Sequence, residues 1–192
     1  MSQAVVTTLG VLLAAGAGSR FHGPQHKLLA KVHGEPVIAL SVRSMTSSGL
    51  SAYAIVTGMA EISDFSQGIA EIKNPMWHSG QRSSVVAAIE FARAHGHDSL
   101  VIGLADQPFI TPDAWQAVAA CDSPIAIATY NGVRGNPVKL HSSVWDTFVA
   151  LESPADEGAR TLIRLHPELV REVACEGNYA DIDTTEDVEQ WT

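Results

Sequence analysis

Two aspartates and two basic residues have the types and positions needed for chemistry on phosphates. Asp106 follows the most strand-like segment of the chain, and Asp183 lies between a short predicted strand and a helix. Arg20 and Lys27 lie in a glycine-containing segment, where backbone N–H groups and fixed positive charge can surround a triphosphate. Because Mg²⁺ prefers a few carboxylates together with phosphate oxygens and water, this set predicts Mg²⁺-dependent transfer of a phosphoryl-type group.

Each aspartate, taken alone, also has a structural interpretation. Asp106 precedes Pro108 at a position that suits a turn-forming residue, and Asp183 stands where a side chain caps a helix or is simply solvated. The combination of both carboxylates with a cationic glycine loop is therefore what indicates the chemistry.

Two familiar phosphate-binding motifs are disfavoured by their spacing. Gly16 and Gly18 are followed by Phe21, which breaks the dinucleotide fingerprint at its third glycine. The second predicted strand ends in Thr57 and Gly58 without the acid that would bind a ribose. No segment matches G-x-x-x-x-G-K-[ST], so nicotinamide enzymes and P-loop NTPases are both disfavoured.

The composition is that of one globular domain, which we place at residues 1–192. A formal net charge of −9 repels polyanions, so we expect no nucleic-acid partner. Arg20, Lys27 and Arg82 are instead candidates to surround a small anionic ligand. The start of the chain lacks the features of a secretory signal and no apolar run is long enough to cross a bilayer, which predicts a cytoplasmic protein without membrane contact.

Apolar β-rich runs alternate with helical periodicity along the chain. This pattern predicts the α/β class, with a mainly parallel sheet, helices on both faces and an antiparallel edge near residues 136–140. Strands are predicted at residues 5–14, 52–57, 69–73, 99–104, 125–130, 136–140, 169–174 and 179–182. Helices are predicted at residues 36–49, from Ser83 or Ser84 to Gly96, from Thr111, at residues 143–151 and 158–165, and from Thr184.

In open α/β sheets, ligands bind beyond the carboxyl ends of the strands. The glycine-containing segment at residues 15–27 follows the first predicted strand, and Asp106 follows the strand at residues 99–104. We therefore expect the glycine loop and Asp106 to face each other across one crevice.

Several longer segments carry a resemblance to a known family. They are LLAAGAGSRF followed by Lys27, NPMWHSGQRSS, LADQPFITP, RGNPV and DIDTTED. Together they resemble the MobA-like nucleotidyltransferases, specifically the MocA branch of molybdenum cofactor cytidylyltransferases. The resemblance implies a Rossmann-like sheet of the nucleotide-diphospho-sugar transferase type, CTP and the molybdopterin cofactor as substrates, Mg²⁺ dependence and release of pyrophosphate. It also implies a molybdoenzyme of the xanthine dehydrogenase type as the recipient of the product.

The same resemblance implies roles for individual positions. The implied nucleotide-binding residues are Leu13, Ala14, Ala15, Gly16, Arg20, Lys27, Asn74, Ser83, Ser84 and Asp106. The implied catalytic residues are Arg20, Lys27, Asp106 and Asp183, of which Asp106 and Asp183 hold the metal. The positions implied for the acceptor are Arg134 and Asn136. Asn136 stands where the family commonly has histidine, and Trp77 is a further candidate to border the nucleotide.

Three alternatives remain open from the sequence. In the first, the donor is GTP in place of CTP. In the second, the acceptor is another molecule such as a sugar phosphate. In the third, the protein is a nucleotide-binding regulator or chaperone that has lost transfer activity. The presence of Lys27, Asp106 and Asp183 favours an enzyme, because a protein that only binds has less need of two metal acids.

Overall fold

Strands and helices alternate along the chain in the computed structural model, which describes residues 7–152, 154 and 157–191. The strands are β1 (Thr8–Ala14), β2 (Lys31–Val32), β3 (Glu35–Pro36), β4 (Ala52–Thr57), β5 (Ala70–Lys73), β6 (Ser99–Leu104), β7 (Ile125–Tyr130), β8 (Val133–His141) and β9 (Val170–Ala174). The helices are α1 (Val37–Thr46), α2 (Gln81–Ala94), α3 (Pro112–Ala120), α4 (Trp145–Ala150), α5 (Arg160–Leu165) and α6 (Thr185–Gln190). Short 3₁₀ helices lie at Lys27–Leu29, Ser63–Phe65, Trp77–Ser79, Ser142–Val144 and Pro167–Leu169. Within these described ranges no helix combines the length and apolar character needed to cross a membrane.

Seven strands form one sheet in the order β5-β4-β1-β6-β8-β7-β9, and β2 pairs with β3 in a separate two-stranded sheet. Strand β8 runs antiparallel to both of its neighbours, β6 and β7, while the remaining pairs in the large sheet are parallel. The predicted α/β class and mainly parallel sheet are therefore confirmed. The predicted antiparallel strand is present, and β7 and β9 lie beyond it on that side of the sheet.

Alternate residues of β1 enter two separate apolar clusters. Leu9, Val11 and Leu13 belong to the cluster that contains side chains of α2, α4 and α5. Leu12 and Ala14 belong to the cluster that contains side chains of α1 and α3. Because both faces of the strand are covered, β1 has an uninterrupted apolar sequence, and burying each leucine or valine contributes roughly 2 kcal/mol of transfer free energy. The prediction of helices on both faces is confirmed.

The carboxyl ends of β1 and β6 are neighbours in the sheet, since Leu13 pairs with Leu104. The pairing continues one step further, because the backbone N–H of Ala105 donates to the Leu13 carbonyl at 3.1 Å. The glycine loop and the Asp106 turn therefore begin side by side, as the sequence predicts.

The predicted strand at residues 179–182 is wrong. These residues form no strand, because their backbone bonds to the loop after β6 rather than to the sheet. The N–H of Ile182 donates to the Asp106 carbonyl at 2.9 Å, and the N–H of Asn178 donates to the Phe109 carbonyl at 3.4 Å. This pairing brings the segment that carries Asp183 next to Asp106.

The starts of β1 and α2 also differ from those predicted. Strand β1 is described from Thr8, and residues 5 and 6 lie outside the described part of the chain. Helix α2 begins at Gln81 rather than after Ser83 or Ser84, with Gly80 as its N-cap at φ 106°. A positive φ of this size favours glycine, so the cap is set by backbone conformation and no side chain caps the helix.

Candidate active site

The loop after β1 is closed onto itself by His26. Its Nδ1 accepts the N–H of Leu28 at 3.3 Å, so Nε2 carries the proton that is donated to the Gly16 carbonyl at 3.1 Å. Desolvation lowers the pKa of His26, although the hydrogen bond to Gly16 opposes this change. A neutral imidazole therefore holds Gly16 close to the turn that presents Lys27.

Lys27 lies between the two aspartates that the sequence singled out. Its Nζ is 2.5 Å from Asp106 Oδ2 and 2.8 Å from Asp183 Oδ1. Arg20 approaches from outside, with one guanidinium nitrogen 2.9 Å from Asp183 Oδ2 and a side chain that is 74% exposed. The structure thus brings together all four residues predicted as catalytic.

The ammonium group of Lys27 stays charged in this position. Burial lowers the pKa of Lys27, but the negative charges of Asp106 and Asp183, with their hydrogen bonds, more than offset this effect and raise it. The contribution of this ion pair to stability is present below the ordinary lysine pKa of about 10.4 and is lost only as the pH rises through the higher folded-state value. Lys27 therefore remains a cation throughout the neutral range.

The two aspartates are suited to a further cation. Asp106 Oδ1 is buried and accepts no hydrogen bond from the described residues. Among those residues no cluster of three or more His, Cys, Asp or Glu side chains is arranged to hold a metal ion. Two carboxylates leave the other coordination positions of a metal to phosphate oxygens and water. This arrangement suits Mg²⁺ or Mn²⁺ better than it suits a metal whose ligands all come from the protein.

These charged groups line a cavity of about 580 Å³. One wall is the backbone of the glycine loop, and it includes the predicted residues Leu13, Ala14, Ala15, Gly16 and Arg20. A second part of the wall is formed by Trp77, His78, Gly80, Gln81 and Ser84. Because Gly80 leaves the start of α2 without a side-chain cap, the positive end of the helix dipole faces this cavity.

Asn74 and Ser83 do not line this cavity, although the sequence placed them near the nucleotide. The Asn74 amide donates to Ser83 Oγ at 2.8 Å and to Ser84 Oγ at 3.0 Å, and its oxygen accepts the N–H of Met76. Its polar atoms are therefore used in holding the loop before α2 against the first turn of that helix. Of this group, Ser84 reaches the cavity wall.

A second cavity, of about 550 Å³, adjoins the first and shares Leu13, Gln81 and Leu104 with it. The predicted acceptor residues Arg134 and Asn136 both line this second cavity. The remaining wall includes branched aliphatic side chains, from Val85, Ile102, Ile127, Val138 and Ile163, and the charged side chains of Glu157, Arg160 and Arg164. Arg134 is also paired through Nε with Glu172 Oε1 at 2.7 Å.

Sequence reasoning did not single out His78, Gln81, Gln107 and Asp181, which lie in or beside these cavities. Gln107 and Asp181 stand inside the segments LADQPFITP and DIDTTED, so their positions carried a usable signal. His78 and Gln81 reach the wall only because Gly80 turns the chain into α2, which residue types alone do not show.

Arg82 was a candidate to bind a small anion, and the structure corrects this interpretation. One guanidinium nitrogen donates to the carbonyls of Phe148, Val149 and Leu151 at 2.8–3.0 Å. The guanidinium carbon also lies 5.3 Å from the centre of the Phe148 ring. Arg82 therefore stabilises the C-terminal end of α4, where a cation complements unpaired carbonyls.

Replacing Arg82 with methionine is expected to lower the free energy of unfolding by about 2 kcal/mol, because three carbonyls lose their donor. Chemical denaturation measures this change, and the affinity for nucleotide is expected to stay the same. A large loss of nucleotide affinity without loss of stability would return Arg82 to the binding site.

Gly58 lies behind the cavity wall at a position where there is no space for a side chain. A Cβ at this position would lie 2.6 Å from the Ala15 carbonyl oxygen and 2.8 Å from Cβ and Cγ of Trp77. Both neighbours belong to the cavity wall, so either the glycine loop or Trp77 must move. Gly58 therefore allows the glycine loop and Trp77 to pack closely together in the cavity wall.

The substitution Gly58→Ala is expected to weaken nucleotide binding by about tenfold or more, since the cost of displacing packed backbone exceeds roughly 1.4 kcal/mol. Isothermal titration calorimetry with the triphosphate measures this loss. Gly10→Ala is the matched control, because its Cβ meets Leu50, Tyr53 and Met45 at 3.1–3.3 Å elsewhere on the sheet. Equal loss of affinity in both variants would show a general folding defect instead.

Comparisons with known proteins agree with this geometry. Residues 10–172 match the family described as the MobA-like NTP transferase domain. The purine catabolism protein PucB of Bacillus subtilis (strain 168) is 31% identical over 195 residues, covering 93% of each chain. The crystal structure of Rv0371c from Mycobacterium tuberculosis H37Rv has a TM-score of 0.80 at 22% identity, covering 97% of this chain and 98% of that one. A structure of Rv0371C in complex with manganese has a TM-score of 0.75 at 22% identity and covers 96% and 97% of the two chains.

Proposed function

The chain belongs to the MobA-like NTP transferase family, and on this premise we propose that it transfers CMP from CTP to the molybdopterin form of the molybdenum cofactor, releasing pyrophosphate. The proposal rests on the position of Lys27 between Asp106 and Asp183, in the cavity that the glycine loop also lines. One cavity therefore holds carboxylates that can bind a metal ion and cations that can bind phosphates. Nucleotidyl transfer needs both groups close together.

The proposed reaction needs no protein nucleophile. A terminal phosphate oxygen of the acceptor attacks the α-phosphorus of the triphosphate in line and forms a new P–O bond. The bond between the α-phosphorus and the bridging oxygen to the β-phosphate breaks, and pyrophosphate leaves with those electrons. The protein contributes by orienting the two substrates and by stabilising the negative charge that moves onto the leaving group.

The basic residues and the loop act on the donor. Lys27, with a pKa raised above its ordinary value, keeps its positive charge and offsets the charge of the triphosphate. Arg20 is mostly exposed and pairs with Asp183 through one guanidinium nitrogen, so its other N–H groups can bind the phosphates of a nucleotide. The loop backbone from Leu13 to Gly16 lines the same cavity and forms the nucleotide wall in this proposal.

The carboxylates of Asp106 and Asp183 are the proposed metal ligands. The unpartnered and buried Asp106 Oδ1 fits this role, because a buried carboxylate oxygen without a donor is costly unless a cation meets it. Mg²⁺ bound there would act as a Lewis acid that neutralises charge on the phosphate oxygens. The manganese complex of the related fold supports the use of a divalent ion.

The second cavity is the proposed acceptor site. It adjoins the nucleotide cavity through Leu13, Gln81 and Leu104, so an acceptor phosphate held there can approach the α-phosphorus. The branched aliphatic side chains in its wall suit a ring system better than the hydroxyl-rich surface of a sugar, which favours molybdopterin over a sugar phosphate.

A molybdoenzyme of the xanthine dehydrogenase type is the proposed recipient of the product. Xanthine is a purine, and the relative PucB is described as a purine catabolism protein, which supports this choice. The proposed substrates are soluble cofactors and nucleotides, so the proposed location is the cytoplasm.

Pyrophosphate release measured over a panel of substrates tests the proposal. Purified protein with Mg²⁺ is given CTP or GTP, each with molybdenum-loaded molybdopterin, with a hexose 1-phosphate, or alone. We expect release with CTP only when the molybdopterin acceptor is present. Release with GTP but not with CTP, in the presence of molybdopterin, would indicate guanylyl transfer. Release with the hexose phosphate would indicate a sugar-phosphate enzyme. Tight nucleotide binding without release under any condition would favour a nucleotide-binding chaperone.

A further inference from the structure

Gln107 is a buried amide that links a residue of the second cavity to the segment before Asp183. It directly follows Asp106 in sequence and is only 5% exposed. Its Nε2 donates to the Tyr179 carbonyl at 3.0 Å and to Asp181 Oδ1 at 2.6 Å. Its Oε1 accepts a hydrogen bond from Asn136 Nδ2 at 2.9 Å. One side chain thus contacts both Asn136, which lines the proposed acceptor cavity, and the segment that leads to Asp183.

The partners of Gln107 fix the direction of both amides. A backbone carbonyl only accepts hydrogen bonds, so the group of Gln107 that faces the Tyr179 carbonyl and Asp181 must be its NH₂. The Gln107 oxygen then faces Asn136, which must present its own NH₂ in return. The remaining atom, Asn136 Oδ1, is left to face the acceptor cavity.

Asn136 Oδ1 makes no hydrogen bond with the described part of the chain. It accepts no hydrogen bond there, and it is not among the buried atoms that lack a partner, so it is accessible from the cavity that Asn136 lines. The backbone behind it is held, because the Tyr130 hydroxyl donates to the Asn136 carbonyl at 2.8 Å. Burial raises the pKa of Tyr130, which therefore keeps the proton that it donates.

The other end of the chain of hydrogen bonds reaches the proposed metal ligands. Asp181 lies two residues before Asp183, and between them the N–H of Ile182 donates to the Asp106 carbonyl at 2.9 Å. Gln107 adds two further bonds between the same two segments. Its side chain therefore helps to hold Asp183 beside Asp106 while it also orients Asn136.

We propose that Gln107 is a positioning residue and Asn136 a specificity-determining residue for the acceptor. Gln107 orients the Asn136 amide so that only a hydrogen-bond acceptor faces the cavity, and an acceptor molecule must meet it with an N–H or O–H donor. Because Gln107 also holds the segment before Asp183, recognition of the acceptor and alignment of the carboxylates depend on one side chain. This inference rests on the proposed function, since it assigns the second cavity to the acceptor.

The test uses Asn136→Leu, Gln107→Met and the double variant of the full chain. The control is Lys139→Met, because Lys139 is also a buried polar residue of β8 but donates to the Ala119 and Cys121 carbonyls away from both cavities. The readouts are the KM for molybdenum-loaded molybdopterin, kcat, the Kd for CTP from calorimetry, and the side-chain amide signals of Asn136 in ¹⁵N–¹H spectra of the free protein.

We expect each single variant to raise the acceptor KM by about tenfold, with the Kd for CTP unchanged. Gln107→Met is also expected to lower kcat and to shift the Asn136 amide signals. The double variant is expected to have nearly the same acceptor KM as Asn136→Leu alone, since both changes break one chain of contacts. Lys139→Met is expected to lower Tm and leave the acceptor KM unchanged.

Additive effects in the double variant, or equal effects of Gln107→Met and Lys139→Met on acceptor KM, would overturn the proposal. So would unchanged Asn136 amide signals in Gln107→Met. If the wild-type protein transfers nothing to any acceptor, the proposed function fails, and the orientation of Asn136 by Gln107 is then decided by the amide signals alone.

Discussion

Asp106→Asn is expected to lower the turnover of CTP by about three orders of magnitude or more, with the fold intact. Asparagine keeps the size of the side chain but removes the negative charge beside Lys27. It also replaces a buried carboxylate oxygen that has no hydrogen bond from the described residues and is free to meet a metal. Steady-state pyrophosphate release measures turnover, and circular dichroism with thermal unfolding shows whether the fold remains.

The matched control is Asp146→Asn. Asp146 also carries an ion pair, with Arg93 at 2.7 Å, but its side chain is 92% exposed and far from both cavities. Its turnover is expected to equal that of the wild-type protein, because an exposed pair contributes little. Near-normal turnover in Asp106→Asn would remove Asp106 from the mechanism.

Lys27→Met is expected to lower kcat/KM by about 10²- to 10³-fold, because the cation that offsets the triphosphate is lost. A second effect distinguishes this residue from an ordinary buried lysine. Without Lys27, the carboxylates of Asp106 and Asp183 repel each other, and Arg20 is left as a single exposed counter-charge. Mg²⁺ should therefore raise the Tm of this variant more than it raises that of the wild-type protein.

The Mg²⁺ titration is followed by thermal unfolding in the absence of nucleotide. Lys31→Met is the control, because Lys31 is an exposed residue close to Lys27 in sequence and does not line either cavity. Its response to Mg²⁺ should match that of the wild-type protein. If Lys27→Met responds to Mg²⁺ no more than this control does, the two aspartates do not form a cation site.

The central strands of the sheet were predictable because their residues are buried on both faces. β1 and β6 consist almost entirely of buried side chains, so their apolar runs indicate strands without further context. The segment at residues 179–182 is also mostly apolar, with Asp181 as its one charged residue, but it pairs with the loop after β6. Residue types indicate that a segment is apolar, and the choice of its backbone partner depends on tertiary contacts.

The charged centre of the site was likewise predictable, and its surroundings were not. Asp106 and Asp183 follow recognisable segments, and strand order alone places Asp106 opposite the glycine loop. Arg82 carries the charge expected of a phosphate ligand, yet its guanidinium binds three carbonyls of a helix end. Gln107 is uncharged, and its role depends on three long-range hydrogen bonds. Long-range polar partners of this kind are set by the fold and are not encoded in local spacing.

The most direct test of nucleotidyl transfer follows the phosphorus atoms of CTP. The protein is incubated with Mg²⁺, molybdenum-loaded molybdopterin and CTP that carries a radioactive label at either the α- or the γ-phosphorus. We expect the α label to move to the acceptor, the γ label to appear in pyrophosphate, and the two products to form in equal amounts. Transfer of the γ label to the acceptor, or its release as inorganic phosphate without transfer of the α label, would contradict the central claim.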